Sequence, residues 1–96
     1  MERKEVYNRI DGERDYQDSK WTEREQQRLG FVPDDEKSVA EWILYIENHL
    51  NKAKNNVYYL NEGLALDEIR KVAALAVRTM EIHGCPSRKN PIEIDK

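Results

Sequence analysis

The chain has 96 residues, of which 36% are charged and 39% hydrophobic, and a net charge of −3. That length is one domain that buries a modest share of its surface, and a pI near 5.4 with both signs interspersed excludes the basic footprint of a duplex nucleic-acid binder. A single cysteine, Cys85, excludes an internal disulfide; with no signal-peptide core and no run near the ~20 apolar residues of a membrane helix, a cytoplasmic protein is expected.

Residues 1–30 are polar, with spaced apolar anchors at Val6, Ile10, Tyr16, Trp21 and Leu29. Helix formers fill the intervals, so this is an N-terminal helical segment, with an interruption expected at Asp11-Gly12. Gly30-Phe-Val-Pro-Asp-Asp35 reads as a loop, because Pro33 disfavours helix at Val32. Ser38-Val-Ala-Glu41 is a capping box and opens a helix over 38–60. Its apolar residues Val39, Ile43, Ile46, Leu50, Ala53, Val57 and Leu60 alternate in steps of four and three, a helical seam about 33 Å long.

Asn61-Glu-Gly63 is the expected turn. A second helix over 64–83 repeats the spacing at Leu66, Ile69, Ala73, Ala76, Met80 and His83. Gly84 and Pro86 then stop it. Folded back about the turn, the seams keep one register, with Leu50 opposite Ala76 and Ile46 opposite Met80. The fold class is therefore all-α: a long antiparallel helical hairpin plus the N-terminal segment, one domain over 1–96, with a loose tail at 87–96. Val72, Leu75, Val77 and Ile82 lie off the seam, and an apolar surplus of this kind needs cover. The N-terminal segment offers little, so completion as an oligomeric helical bundle through Val72, Leu75 and Ile82 is expected.

Candidate site residues come from charge and aromaticity. Lys71 and Arg78 share a face of the second hairpin helix with Ala74 between them, and Glu81 lies one turn beyond Arg78. Arg14, Tyr16, Lys20 and Trp21 form an aromatic–cationic set suited to stacking a base and holding a phosphate. A ligand-binding site of Arg14, Lys20, Trp21, Lys71, Arg78 and Glu81 is the resulting expectation. The cations are set against two bland accounts: Asp15 or Asp18 closing a structural ion-pair network, and Trp21 and Tyr16 merely covering the hairpin. Because Glu81 serves Arg78, Lys71 is expected to lack a partner that a bound phosphate would supply. His49 and His83 lack zinc-ligand spacing, and no catalytic residue is assigned.

Two stretches carry a resemblance: Glu41-Trp-Ile-Leu-Tyr-Ile-Glu47, and Leu66-Asp-Glu-Ile-Arg-Lys-Val-Ala-Ala-Leu-Ala-Val-Arg78 with Met80-Glu-Ile-His-Gly84. Together with Glu13-Arg-Asp-Tyr-Gln-Asp-Ser-Lys-Trp21, they resemble small all-helical phage and prophage proteins over about residues 13–88. More distantly the chain is similar to the MazG-like all-α nucleotide pyrophosphohydrolases, which hold Mg²⁺ on paired acidic motifs of facing helices and assemble as dimers or tetramers. That resemblance implies Glu47 and Glu68 as metal ligands. The spacing departs from it, because Glu41 and Glu47 are six apart and Lys71 stands where a second acid belongs.

Two functions follow. The first is a non-enzymatic oligomeric binder, without cofactor, that holds a nucleotide-like anion or a host protein and sequesters a signalling nucleotide in a bacterial host's cytoplasm. The second is a Mg²⁺-dependent nucleoside triphosphate pyrophosphohydrolase.

Overall fold

A computed structural model describes residues 1–89, and among them there is no strand. Helix α1 runs over Arg3–Lys20, α2 over Glu23–Arg28, α3 over Val39–Tyr58 and α4 over Glu62–His83, with a single 3-10 turn at Asp34–Glu36. Residues 84–89 are irregular, and the rest of the expected tail lies outside the described residues.

The caps explain the boundaries. At α3, the Ser38 side chain accepts from the Glu41 amide and Glu41 accepts from the Ser38 amide, the reciprocal capping box. Asn61 caps α4 by accepting from Leu64 N–H at 3.1 Å. The turn therefore sits earlier than the sequence predicts: Glu62 and Gly63 belong to the first turn of α4, and Leu60 makes the reversal at φ +59°. Left-handed backbone is unfavourable for a side chain with a Cβ, and an Asn cap one residue later outweighs it. Gly84 ends α4 at φ +100°, where glycine pays no steric penalty.

Asp11-Gly12 does not interrupt α1, which is continuous through it. A mid-helix glycine costs only about 1 kcal/mol relative to alanine. The residues that follow it are anchored. Glu13 accepts from Arg70 Nε at 2.9 Å, and Arg14 donates from Nε to Glu81 at 2.7 Å. Positions 70 and 81 lie roughly 16 Å apart along α4. Adjacent residues of α1 reach both, so α1 crosses α4 rather than running along it. Ala74 shares that α4 face and is completely buried.

Helices α3 and α4 pack together as an antiparallel pair, as expected, but rotated. His49 and Glu68 meet across it at 2.7 Å. Among the described residues, the buried apolar ones are Trp42, Ala53, Ala65 and Ala74. The expected seam does not close on itself: Leu50 is 43% exposed, and Val39, Ile43, Val57, Leu66, Ile69 and Met80 are exposed beside it. Trp42 explains the rotation. Burying an indole drops more apolar area out of water than burying any one seam residue, and it turns α3 so that 42, 49 and 53 face inward. The surplus residues Val72, Leu75 and Ile82 are half-buried within the chain, so they are not the free face that the sequence predicts.

One substitution tests the crossing. Ala74→Leu puts a large side chain where α1 meets α4 and is expected to destabilise the fold by about 1–3 kcal/mol, measured by urea titration with circular dichroism. Leu44→Ala, on the exposed side of α3, is expected to change stability by less than ~0.5 kcal/mol.

Candidate functional site

On one side of α4 lies a cavity of about 540 Å³. The second half of α1 forms one wall, the first two-thirds of α3 another, and α4 the floor. The segment 21–37 closes the end. Five of the six residues singled out from the sequence line it: Arg14, Lys20, Trp21, Lys71 and Arg78. Glu81 stands outside the lining and pairs with two of them.

Most of these cations are held by carboxylates. Arg14 is almost fully buried and also donates to Asp18 at 2.8 Å. Burial works against its charge, yet the hydrogen bonds to Glu81 and Asp18 hold its pKa above the usual arginine value. Arg78 donates to Asp34 at 3.1 Å and to Glu81 at 3.3 Å. Lys37, buried like Arg14, reaches Asp34 at 3.0 Å, the Val32 carbonyl at 2.9 Å and the Gln26 side-chain oxygen. One continuous network therefore runs Lys37–Asp34–Arg78–Glu81–Arg14–Asp18. It ties the 3-10 turn to α4 and α4 to α1.

A second network runs along α4. His49 meets Glu68, Lys71 lies 3.5 Å from Glu68 and 3.4 Å from Asp67, and Arg70 joins Asp67 to Glu13. Lys71 is thus supplied with carboxylates from its own helix, one turn back, and the expected imbalance there does not exist. The proposed network partner Asp18 is present, on Arg14.

Every carboxylate with a resolved shift in these networks is displaced toward acid. Burial would raise Asp34, but Lys37 and Arg78 hold it below its ordinary value. Burial opposes the effect of His49 and Lys71 on Glu68 in the same way. The Arg14 hydrogen bond leads for Glu81, and the Arg70 hydrogen bond for Asp67.

Two cations of the cavity have no carboxylate partner among the described residues. Lys20 lies 5.1 Å from the centroid of Trp21 and 5.9 Å from that of Tyr16, a cation–π setting. Lys52, on α3, is exposed and makes no ion pair. In all, six cations and three carboxylates line the cavity, in a chain that is acidic overall. Five aromatic rings join them: Tyr16, Trp21, Phe31, Trp42 and Tyr45. Tyr45 packs edge-on against Trp42 at 5.9 Å. The indole Nε1 of Trp42 is buried without a hydrogen-bond partner, and an indole N–H can only donate.

Lys37, Lys52, Trp42 and Tyr45 escape the sequence reading. A signal for three of them is present: Trp42, Tyr45, His49 and Lys52 follow one another in steps of three, four and three, a second stripe beside the apolar seam. Lys37 carries no such signal, since its burial depends on where the loop folds. His83 is a structural residue, its Nε2 2.8 Å from the Lys37 carbonyl oxygen. Glu47 is exposed and outside the cavity, while Glu68 is engaged by His49 and Lys71. Among the described residues, no three His, Cys, Asp or Glu side chains come together around a point where a metal ion would sit. No helix among them is long and apolar enough to cross a membrane. Comparison with known protein families, with curated proteins and with solved structures finds no match.

The networks predict acid sensitivity. A carboxylate whose pKa is depressed by folding contributes stability that is present above its unfolded value and lost as pH falls through its folded value. The melting temperature is expected to hold from neutral pH down to about 5 and to fall steeply below about 4. Asp34→Asn leaves Lys37 and Arg78 short of a counter-charge and is expected to cost about 3 kcal/mol at neutral pH. It should also flatten the acid limb, read by thermal melts across pH.

Proposed function

We propose that the chain is a non-enzymatic binding protein whose cavity takes a nucleotide-like anion, a planar base bearing phosphate. The observation that carries this reading is the pair Lys20 and Lys52, cations without carboxylate partners at a cavity walled by aromatic rings. Most of the chain's cavity-lining charge is spent on holding helices together, and these two are not. Base–aromatic stacking is worth about 1–3 kcal/mol per base, and charge-assisted hydrogen bonds to phosphate are strong. A cavity of about 540 Å³ falls in the range of small-molecule sites, roughly 300–1,000 Å³. The buried Trp42 Nε1 offers a donor to an acceptor on the ligand.

Such a protein acts by withholding its ligand, and sequestration of a signalling nucleotide in a phage-infected bacterial cytoplasm is the role we propose for it. Self-association into a helical bundle belongs to the same reading. The buried apolar core of one chain is a tryptophan and three alanines, little for a domain of this length.

Both tryptophans of the chain line the cavity, so their fluorescence reports occupancy directly. Titration with nucleoside mono-, di- and triphosphates and cyclic nucleotides, with and without Mg²⁺, is expected to change the emission and raise the melting temperature for one class. Lys20→Ala and Lys52→Ala are each expected to weaken that ligand about tenfold, one charge-assisted hydrogen bond's worth, with unchanged melting of the free protein. No response across the panel at millimolar ligand refutes the reading. Mg²⁺-dependent pyrophosphate release that is lost in Glu47→Gln or Glu68→Gln replaces it with the pyrophosphohydrolase.

A further inference from the structure

On the side of α4 away from the cavity, the two apolar seams lie next to each other and open to solvent. Val39, Ile43, Leu50 and Val57 come from α3, and Leu66, Ile69 and Met80 from α4. Their exposed fractions, 40–67%, leave roughly 600–700 Å² of apolar surface in one stretch, above the ~300–600 Å² of the largest patch on a typical monomer.

The spacing along the α3 seam says what covers this face. On α3, Ile43 and Val57 stand seven residues either side of Leu50. The exposed apolar residues Ile43 and Val57 are therefore placed evenly about Leu50. On α4, Leu66, Ile69 and Met80 add exposed apolar surface beside them.

We propose that this face is the interface of a twofold dimer with a second copy of the chain. The axis lies in the plane of the interface, across the helices at the level of Leu50. It sets α3 antiparallel on the partner's α3 and α4 on the partner's α4. Leu50 meets its own counterpart, and Ile43 meets Val57. A twofold contact is self-complementary in this sense, each residue facing its mirror position.

Charge agrees with the same axis. Glu47 and Lys54 flank the seam on the outer side of α3, at nearly equal distances from Leu50, and both are exposed without an ion pair. Across the axis each Glu47 falls beside the other copy's Lys54. Complete cover of these seven residues on both copies removes at most about 1,300 Å² from water, at the lower end of the 1,200–2,000 Å² of a stable specific interface. The product is a four-helix core from two hairpins, with the two cavities facing outward.

This inference rests on the self-association proposed above and adds the face and its register. Light scattering at micromolar concentration is expected to give twice the 11.4 kDa of one chain. Leu50→Glu places four negative charges, with the two Glu47, around the axis and is expected to weaken the dimer by about a hundredfold or more while helicity is kept, because an unpaired buried charge is costly. Glu47→Lys weakens it, and Glu47→Lys with Lys54→Glu restores it. In a Cys85→Ser background, Leu50→Cys crosslinks to a covalent dimer under mild oxidation and Leu44→Cys does not. A monomer at every concentration refutes both self-association and this face. A dimer that survives Leu50→Glu and forms no crosslink at position 50 refutes this face alone.

Discussion

The chain of charges Lys37–Asp34–Arg78–Glu81–Arg14–Asp18 holds pieces of this molecule that apolar packing alone would not. No large side chain of the described residues is fully buried, so the hydrophobic term that usually dominates folding is small here. α1 is strongly polar, and the 3-10 turn consists of three acids. Both are located by ion pairs to α4. Buried ion pairs are weak as net stabilisers because desolvation offsets their attraction, but breaking one is expensive and their geometry is specific. The network thus acts less as a reservoir of stability than as a jig that determines where the polar segments sit.

The cavity is a by-product of that jig. α1 crosses α4 at Glu13 and Arg14 and sends its second half over one side of the hairpin. The loop held by Lys37 covers the end of the same side. What remains between them is space lined by side chains whose charge is mostly neutralised in pairs, plus aromatic rings and two lysines left over. A site of this type separates its working charges from its structural ones. Removing Lys20 or Lys52 touches no ion pair, whereas removing Arg14 or Lys37 unpins a helix or a loop.

How far the sequence carries the reader depends on the kind of signal. Caps are local, and Ser38 with Glu41 and Gly84 could be placed without a fold. Asn61 is as local a signal, an N-cap residue type inside the expected turn Asn61-Glu-Gly63. Periodicity identified both hairpin helices, since a stripe in steps of three and four says that a face is apolar. It does not say what the face meets, and that is where the expected register fails: Leu50 and Met80 are in the stripe but stay exposed. The indole of Trp42, on the edge of the same stripe, decided the rotation. Arg14, Lys20, Trp21, Lys71 and Arg78 were legible as a set because unlike residue types, cationic and aromatic, clustered at spacings that share a face. Lys37 was not, because a lysine in a loop looks solvated until its neighbours close over it.

The crossing of α1 over α4 has a mechanical side. The ion pairs that hold this helix issue from two adjacent residues near its middle, Glu13 and Arg14, and residues 3–9 are exposed throughout. An α-helix of eighteen residues is a stiff rod about 27 Å long. A stiff rod gripped at its midpoint is a beam on a fulcrum. Its outer arm carries Val6 and Tyr7 into solvent, and its inner arm carries Tyr16, Gln17 and Lys20 along the cavity wall. The outer arm thus stands clear of the ion pairs that fix the helix, while the inner arm is a working part of the cavity wall.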